Sequence, residues 1–205
     1  MPDFFQGDPV PLKIADVMLP VDATKQSAMG KFTGLLGSGP SFLLWMGRHK
    51  KEATDKVCMD FLGELRRSTD LKIGMVGFCW GGRYAVRAGL RGNMTDKRGE
   101  KVTLVDAVVA LHPSHLAVPG DVEDMLVPVS FGWGLEDSMV KFETKRKVEE
   151  THARVKHTGV PEMEHKVYRP GRHGFAVRGN PDDVLERACL EESVQQVLSW
   201  FGRWL

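Results

Sequence analysis

The chain has few cysteines, almost no net charge and no long apolar run, and each shortage removes a class of explanation. Cys58, Cys79 and Cys189 are odd in number and widely spaced, which speaks against a disulfide framework and against a zinc site. Reduced thiols in a cytoplasmic protein are the simpler expectation. Lys and Arg together number 28 and Asp and Glu 27, so no field of one sign points to nucleic acid, anionic lipid or another polyanion. The start, Met1-Pro2-Asp3-Phe4-Phe5, lacks the basic opening and apolar stretch of a signal peptide, and no apolar run is long enough to span a bilayer. Internal repeats, low-complexity tracts and Ser- or Pro-rich linkers are missing as well. A length of 205 residues suffices for one sizeable core. The expectation is a single domain over 1–205 that binds a small molecule.

What is present is an alternation of short apolar runs and helical patterns. Residues 1 to about 40 carry turn signals at Gly7-Asp8-Pro9 and Gly37-Ser38-Gly39-Pro40 and read as loop with short helical pieces, so that 8–50 is a loop or cap segment. From Phe42 to Arg67 apolar residues recur near helical spacing around the charged stretch 48–52, giving one long helix or two short ones. Leu71 to Phe78 is an apolar run bounded by turn residues, the pattern of a strand buried on both faces of a parallel sheet. A helix follows from Gly81 to about Leu90. Asp106 to Leu111, Val127 to Phe131 and His165 to Tyr168 read as further strands, with a helical stretch between the last two from Met139 to His157. The last helix opens with Asn180 as cap and Pro181 in its first turn, and buries Val184, Leu185, Ala188, Val194, Val197, Leu198, Phe201 and Leu205. This alternation predicts an α/β fold, a mostly parallel sheet with helices on both faces. Sites in such sheets collect at the C-terminal ends of the strands.

Gly77-Phe78-Cys79-Trp80-Gly81-Gly82 stands where a buried strand ends and a helix begins. A nucleophile on such a turn sits in a strained backbone, and small neighbours let strand and helix approach closely. At a helix N-terminus the backbone N–H groups and the dipole favour the thiolate, the form that attacks carbonyl carbon. The backbone N–H of Trp80 would then stabilise the oxyanion. The plainer reading makes Cys79 a small apolar residue in a glycine-rich turn. Asp137, in Gly134-Leu135-Glu136-Asp137, follows the next strand but one and suits the orienting acid; Glu136 is its rival, and either could cap the helix beginning near Met139. His173, in Arg172-His173-Gly174, follows the last strand and suits the general base. His112 and His115, in Leu111-His112-Pro113-Ser114-His115, follow another strand and could line the same rim. His173 is preferred because it follows the acid in chain order, as this fold requires.

Gly-Phe-Cys-Trp-Gly-Gly, Gly-Leu-Glu-Asp and His-Gly-Phe together resemble the dienelactone hydrolase family of α/β-hydrolases. The Pro2-Asp3-Phe4-Phe5 start, His112-Pro113-Ser114 and the Trp200-Phe201-x-x-Trp204-Leu205 end are similar to its fungal branch. The resemblance implies a triad of Cys79, His173 and Asp137 cleaving a small ester or lactone through an acyl-thioester, with no metal and no organic cofactor, and Phe5, His112 and Arg178 near the substrate. In bacterial lactonases an arginine follows the Pro-Asp-x-aromatic segment; here Gln6-Gly7 stand there, so that anion contact is absent. Family members carry several strands before this segment. The resemblance therefore implies a truncated domain without the second oxyanion N–H and with an exposed apolar sheet edge at Leu71–Phe78, open to self-association. A second reading, of a different class, is a weakly active or non-catalytic protein that binds a small molecule or partner through the same cleft.

Overall fold

The computed structural model describes residues 3–22, 25, 27–90, 94–96 and 98–205, so Pro2 of the opening segment lies outside the described residues. The chain divides into two compact units, residues 1–61 and 62–205. Among the described residues no helix is long and apolar enough to cross a membrane.

The first unit is helical. Asp3 accepts the N–H groups of Phe5 and Gly7 on its two carboxylate oxygens, closing a turn in which Gln6 and Gly7 have positive φ. Helices α1 (Leu12–Met18) and α2 (Ala28–Arg48) follow, and α3 (Lys51–Ser68) crosses from this unit into the next. The predicted turn at Gly37–Pro40 does not form. The Ser27 side chain caps α2 by accepting the Gly30 N–H, and the helix runs on through Pro40. Two helices, not one, thus cover 28–68. Phe5 packs its ring against Trp45 and His49, at 5.5 and 5.8 Å between centroids.

The second unit is built on four parallel strands, β1 (Gly74–Phe78), β4 (Ala107–Leu111), β5 (Val129–Gly134) and β6 (Met163–Tyr168), adjacent in that order. A short antiparallel pair, β2 (Met94–Thr95) and β3 (Lys101–Val102), lies outside it and was not foreseen. The two central strands are buried along their whole length, which is why they read as unbroken apolar runs. β1 is half-buried from Gly74 to Val76, and among the described residues it pairs with a strand only on its β4 side. Successive residues of a strand face opposite ways. Val109 therefore packs under α7 (Val184–Trp204) with Trp200, Val197 and Phe201, while Val108 faces Gly89 at the end of α4 (Trp80–Gly89). The short α5 (Gly120–Glu123) and α6 (Phe142–Val155) fill the remaining connections.

Helix α7 departs from its prediction at both cap and face. Asp183 is the N-cap, accepting the N–H groups of Leu185 and Glu186, because Asn180 spends its side-chain oxygen on Asp182 in the preceding turn. Val184, Leu185, Val194 and Leu198 are more than half exposed. Fully buried are Cys189, Ser193, Gln196 and Trp200, while Val197 and Phe201 of the predicted stripe pack half-buried against the core. Gln196 is held there by polar contacts that hydropathy does not register: it accepts from the Tyr168 hydroxyl at 2.6 Å and donates to Ser130 Oγ at 2.7 Å.

Candidate active site

All four strands run the same way, so the loops after β1, β4, β5 and β6 emerge on one edge of the sheet. They deliver Cys79, His112, Asp137 and His173.

Cys79 follows β1 directly, with φ 50° and ψ −119°, and is the N-cap of α4. A non-glycine residue at positive φ is strained unless its surroundings hold it there. Two neighbouring glycines make room for the turn. A Cβ on Gly77 would fall on the Gly81 carbonyl, and one on Gly82 would come within 2.8 Å of Pro113. A Cβ on Gly81 itself would meet nothing within 4 Å. The motif thus contains three glycines, of which the packing requires two. The other two thiols differ in setting: Cys58 and Cys189 are 2% and 3% exposed. Burial, and then the charge of Asp55, raises the Cys58 thiol to about 11; burial raises that of Cys189.

The β5–α6 loop brings Asp137 to His173, with its carboxylate oxygens 2.9 and 2.8 Å from Nδ1. Both side chains are 1% exposed. Asp137 Oδ1 also accepts the N–H groups of Met139 and Val140, each at 2.8 Å. It therefore caps its own turn as well as holding the histidine, whereas Glu136 is exposed. Lys141, not either acid, is the N-cap of α6. The Asp137 and His173 loops are laced together: Leu135 donates to the Tyr168 carbonyl at 3.0 Å and Glu136 to that of Pro170 at 2.9 Å. A Cβ on Gly134 would strike the Gly171 carbonyl. Next to the histidine, Arg172 grips Glu186 with Nε and one terminal nitrogen, at 2.7 and 2.6 Å.

His173 Nε2 is 2.9 Å from Cys79 Sγ. Sulfur, imidazole and carboxylate thus stand in one hydrogen-bonded line. Burial on its own would lower the histidine pKa. The hydrogen bond to Asp137, then the bond to Cys79 and the charges of both, outweigh that and raise it to about 9.

The other predicted residues differ in setting. His112 is not on a rim: it is fully buried, at 0% exposure, with Nδ1 accepting the Cys79 backbone N–H at 3.1 Å. Phe5 belongs to the 1–61 unit. Arg178 is half-buried beyond the histidine loop, its N–H donating to the Gly174 carbonyl at 2.7 Å. Trp80 opens α4, its ring 4.6 Å from that of Tyr84. Among the described residues one group, Cys79, His112 and His173, offers three soft ligand atoms within 4.8 Å of one another. His112 Nδ1 already accepts the Cys79 N–H, and His173 Nε2 shares a hydrogen bond with Cys79 Sγ.

The sequence pattern of the dienelactone hydrolase family matches residues 41–205. The hydrolase pyvD of Aspergillus violaceofuscus is 27% identical over 208 residues, covering all of this chain and 69% of that protein. The hydrolase tropI of Talaromyces stipitatus is 27% identical over 206 residues with the same coverage. A candidate dienelactone hydrolase structure from Klebsiella pneumoniae superposes with a TM-score of 0.56 at 19% identity, over 73% of this chain and 62% of that one, a likeness of α/β-hydrolase fold. With a match across four-fifths of its length, the chain belongs to the dienelactone hydrolase family.

Proposed function

We propose that the protein hydrolyses small esters or lactones through a Cys79–His173–Asp137 triad and an acyl-thioester intermediate. The observation that carries this reading is the 2.9 Å approach of Cys79 Sγ to His173 Nε2 on a positive-φ turn at the C-terminal end of a parallel sheet. His173 takes the thiol proton at Nε2 while Asp137 holds Nδ1–H, fixing the tautomer and the ring. The sulfur attacks the carbonyl carbon, and the carbonyl oxygen becomes an oxyanion facing the Trp80 N–H. Collapse breaks the C–O bond, and the leaving alcohol departs with the proton held on His173. Water then gives a proton to His173 and its oxygen to the acyl carbon. Collapse of this second tetrahedral species breaks the C–S bond, the proton on His173 passes to sulfur, and the acid leaves.

The substrate is small by the same reasoning: the chain has no field of one sign and its relatives are hydrolases. p-Nitrophenyl acetate tests the chemistry. The wild type gives a burst of nitrophenol followed by turnover; Cys79→Ala abolishes both, and His173→Ala slows acylation. A purified wild type with neither burst nor turnover defeats the proposal and favours a binding protein.

A further inference from the structure

We propose that His112 is a positioning residue for the nucleophile and the base together, its Nδ1 anchoring the Cys79 backbone while its ring walls that of His173. This deepens the hydrolase reading above and rests on it.

The loop His112–Pro113–Ser114 grips Cys79 at both of its backbone polar groups. The Cys79 N–H has two acceptors, the Leu111 carbonyl at 3.0 Å and His112 Nδ1 at 3.1 Å. The Cys79 carbonyl has two donors, Gly82 N–H at 3.0 Å and Ser114 N–H at 3.1 Å. Gly82 leaves the space into which Pro113 fits. The positive-φ backbone that presents the sulfur is thus held from the β4 loop as well as by its own helix.

Packing alone gives a poor account of a histidine at this position. An N–H bonded to Nδ1 puts the ring's own proton on Nε2, and Nε2 is buried with no partner among the described residues. A buried unsatisfied donor costs about 1–3 kcal/mol. The residue is also at φ 40°, which adds strain. An aliphatic side chain would avoid the first cost and asparagine would ease the second. What histidine supplies is an acceptor at Cys79 and a flat ring beside the base. Its centroid is 5.0 Å from that of His173 at 67°, and 5.0 Å from that of Phe175 at 75°. Asp137 fixes one end of the His173 ring and His112 bounds it from the side. Burial first, and then the positive charge of His173, push the His112 pKa down to about 3, against a weaker pull from Asp137. The ring therefore stays uncharged and neither competes for the thiol proton nor repels the imidazolium.

Two variants separate this role from simple filling. His112→Leu keeps apolar bulk and loses the acceptor. His112→Asn keeps an acceptor near the Nδ1 position and tolerates positive φ. Each is measured twice, by kcat and KM on p-nitrophenyl acetate and by the rate of Cys79 alkylation with iodoacetamide, which needs no turnover. Cys58 and Cys189 are buried with raised pKa values, so fast alkylation reports on Cys79, with Cys79→Ala as the blank. The leucine variant should lose about tenfold to a hundredfold in kcat with KM changed less than about twofold. It should slow alkylation in parallel, and the asparagine variant should recover most of both. Should the leucine chain fail to fold, His112→Phe, a flat ring without an acceptor, takes its place. A leucine variant that matches the wild type in both assays, or leucine and asparagine variants impaired equally, overturns the proposal. A wild type that alkylates rapidly without turning over ester defeats the hydrolase reading, and the alkylation series then decides the role of His112 on its own.

Discussion

Asp137 holds three donors at once, the N–H groups of Met139 and Val140 and the Nδ1–H of His173. The turn contacts use Oδ1, whereas the histidine lies within reach of both oxygens, so the amide of Asp137→Asn can keep the turn while presenting NH2 to the ring. That presentation favours the wrong imidazole tautomer. The asparagine variant should keep the turn and stay folded at neutral pH, at a cost on the order of 2 kcal/mol for the lost pairing with His173, yet lose on the order of a thousandfold in kcat on p-nitrophenyl acetate. Comparable losses of stability and rate would make Asp137 a structural cap and nothing more. At this scale the sequence was informative where chain order constrains chemistry. Cys79, Asp137 and His173 follow in the chain order expected of nucleophile, acid and histidine, and Asp137 and Glu136 were left as rivals because neighbours in sequence share their loop. The structure separates them: the Asp137 carboxylate is buried against His173, whereas Glu136 is exposed. His112 was read as a rim residue because its ring environment depends on β4 lying beside β1, and no local pattern discloses which nitrogen of a histidine is engaged.

The elbow shows what an element demands of its residues. Gly77 and Gly82 are forced by contact, whereas Gly81 faces open space, so the three glycines of the motif should respond differently to one added methyl. Gly77→Ala must move the Gly81 carbonyl or the strand and should cost about 2–3 kcal/mol, with a loss of Cys79 alkylation rate. Gly81→Ala, in the first turn of α4, should be neutral or stabilising by up to about 1 kcal/mol. Urea unfolding of both variants reads this directly, and equal destabilisation would refute the contact argument. Elements were legible where burial is uniform: β4 and β5 are enclosed on both faces, so hydropathy alone located them to within two or three residues. α7 was read only in part: Val197 and Phe201 pack on the core as expected, but its buried face also carries Ser193 and Gln196, whose burial depends on partners from β5 and β6. The predicted turn at Gly37–Pro40 failed because glycine and proline weaken a helix without forbidding it once Ser27 has capped its start.

For the molecule as a whole, a formal charge of +1 leaves little general repulsion to govern its response to pH, and individual buried groups take over. Two histidine rings 5.0 Å apart act in opposite senses. His173 is raised from 6.5 to about 9, so between those values the native state holds a proton that the unfolded chain has released. Its contribution is complete below about pH 6.5 and is lost as pH rises through about 9. His112 is lowered from 6.5 to about 3 and His165, by burial, to about 4. Their contributions are complete above about 6.5 and are lost as pH falls towards those values. Stability from these three groups should therefore crest near pH 6.5. The alkaline side belongs to His173 and can be isolated by difference. The unfolding free energy of the wild type minus that of His173→Ala, from urea titrations at about pH 6 and about pH 10, should shrink by on the order of 2 kcal/mol as pH rises. The same difference taken in an Asp137→Asn background should vary far less, because the hydrogen bond that outweighs burial has gone. If instead the wild-type and His173→Ala curves run parallel across this range, the imidazole is not holding its proton against burial, and the charged pairing of His173 with Asp137 has to be given up.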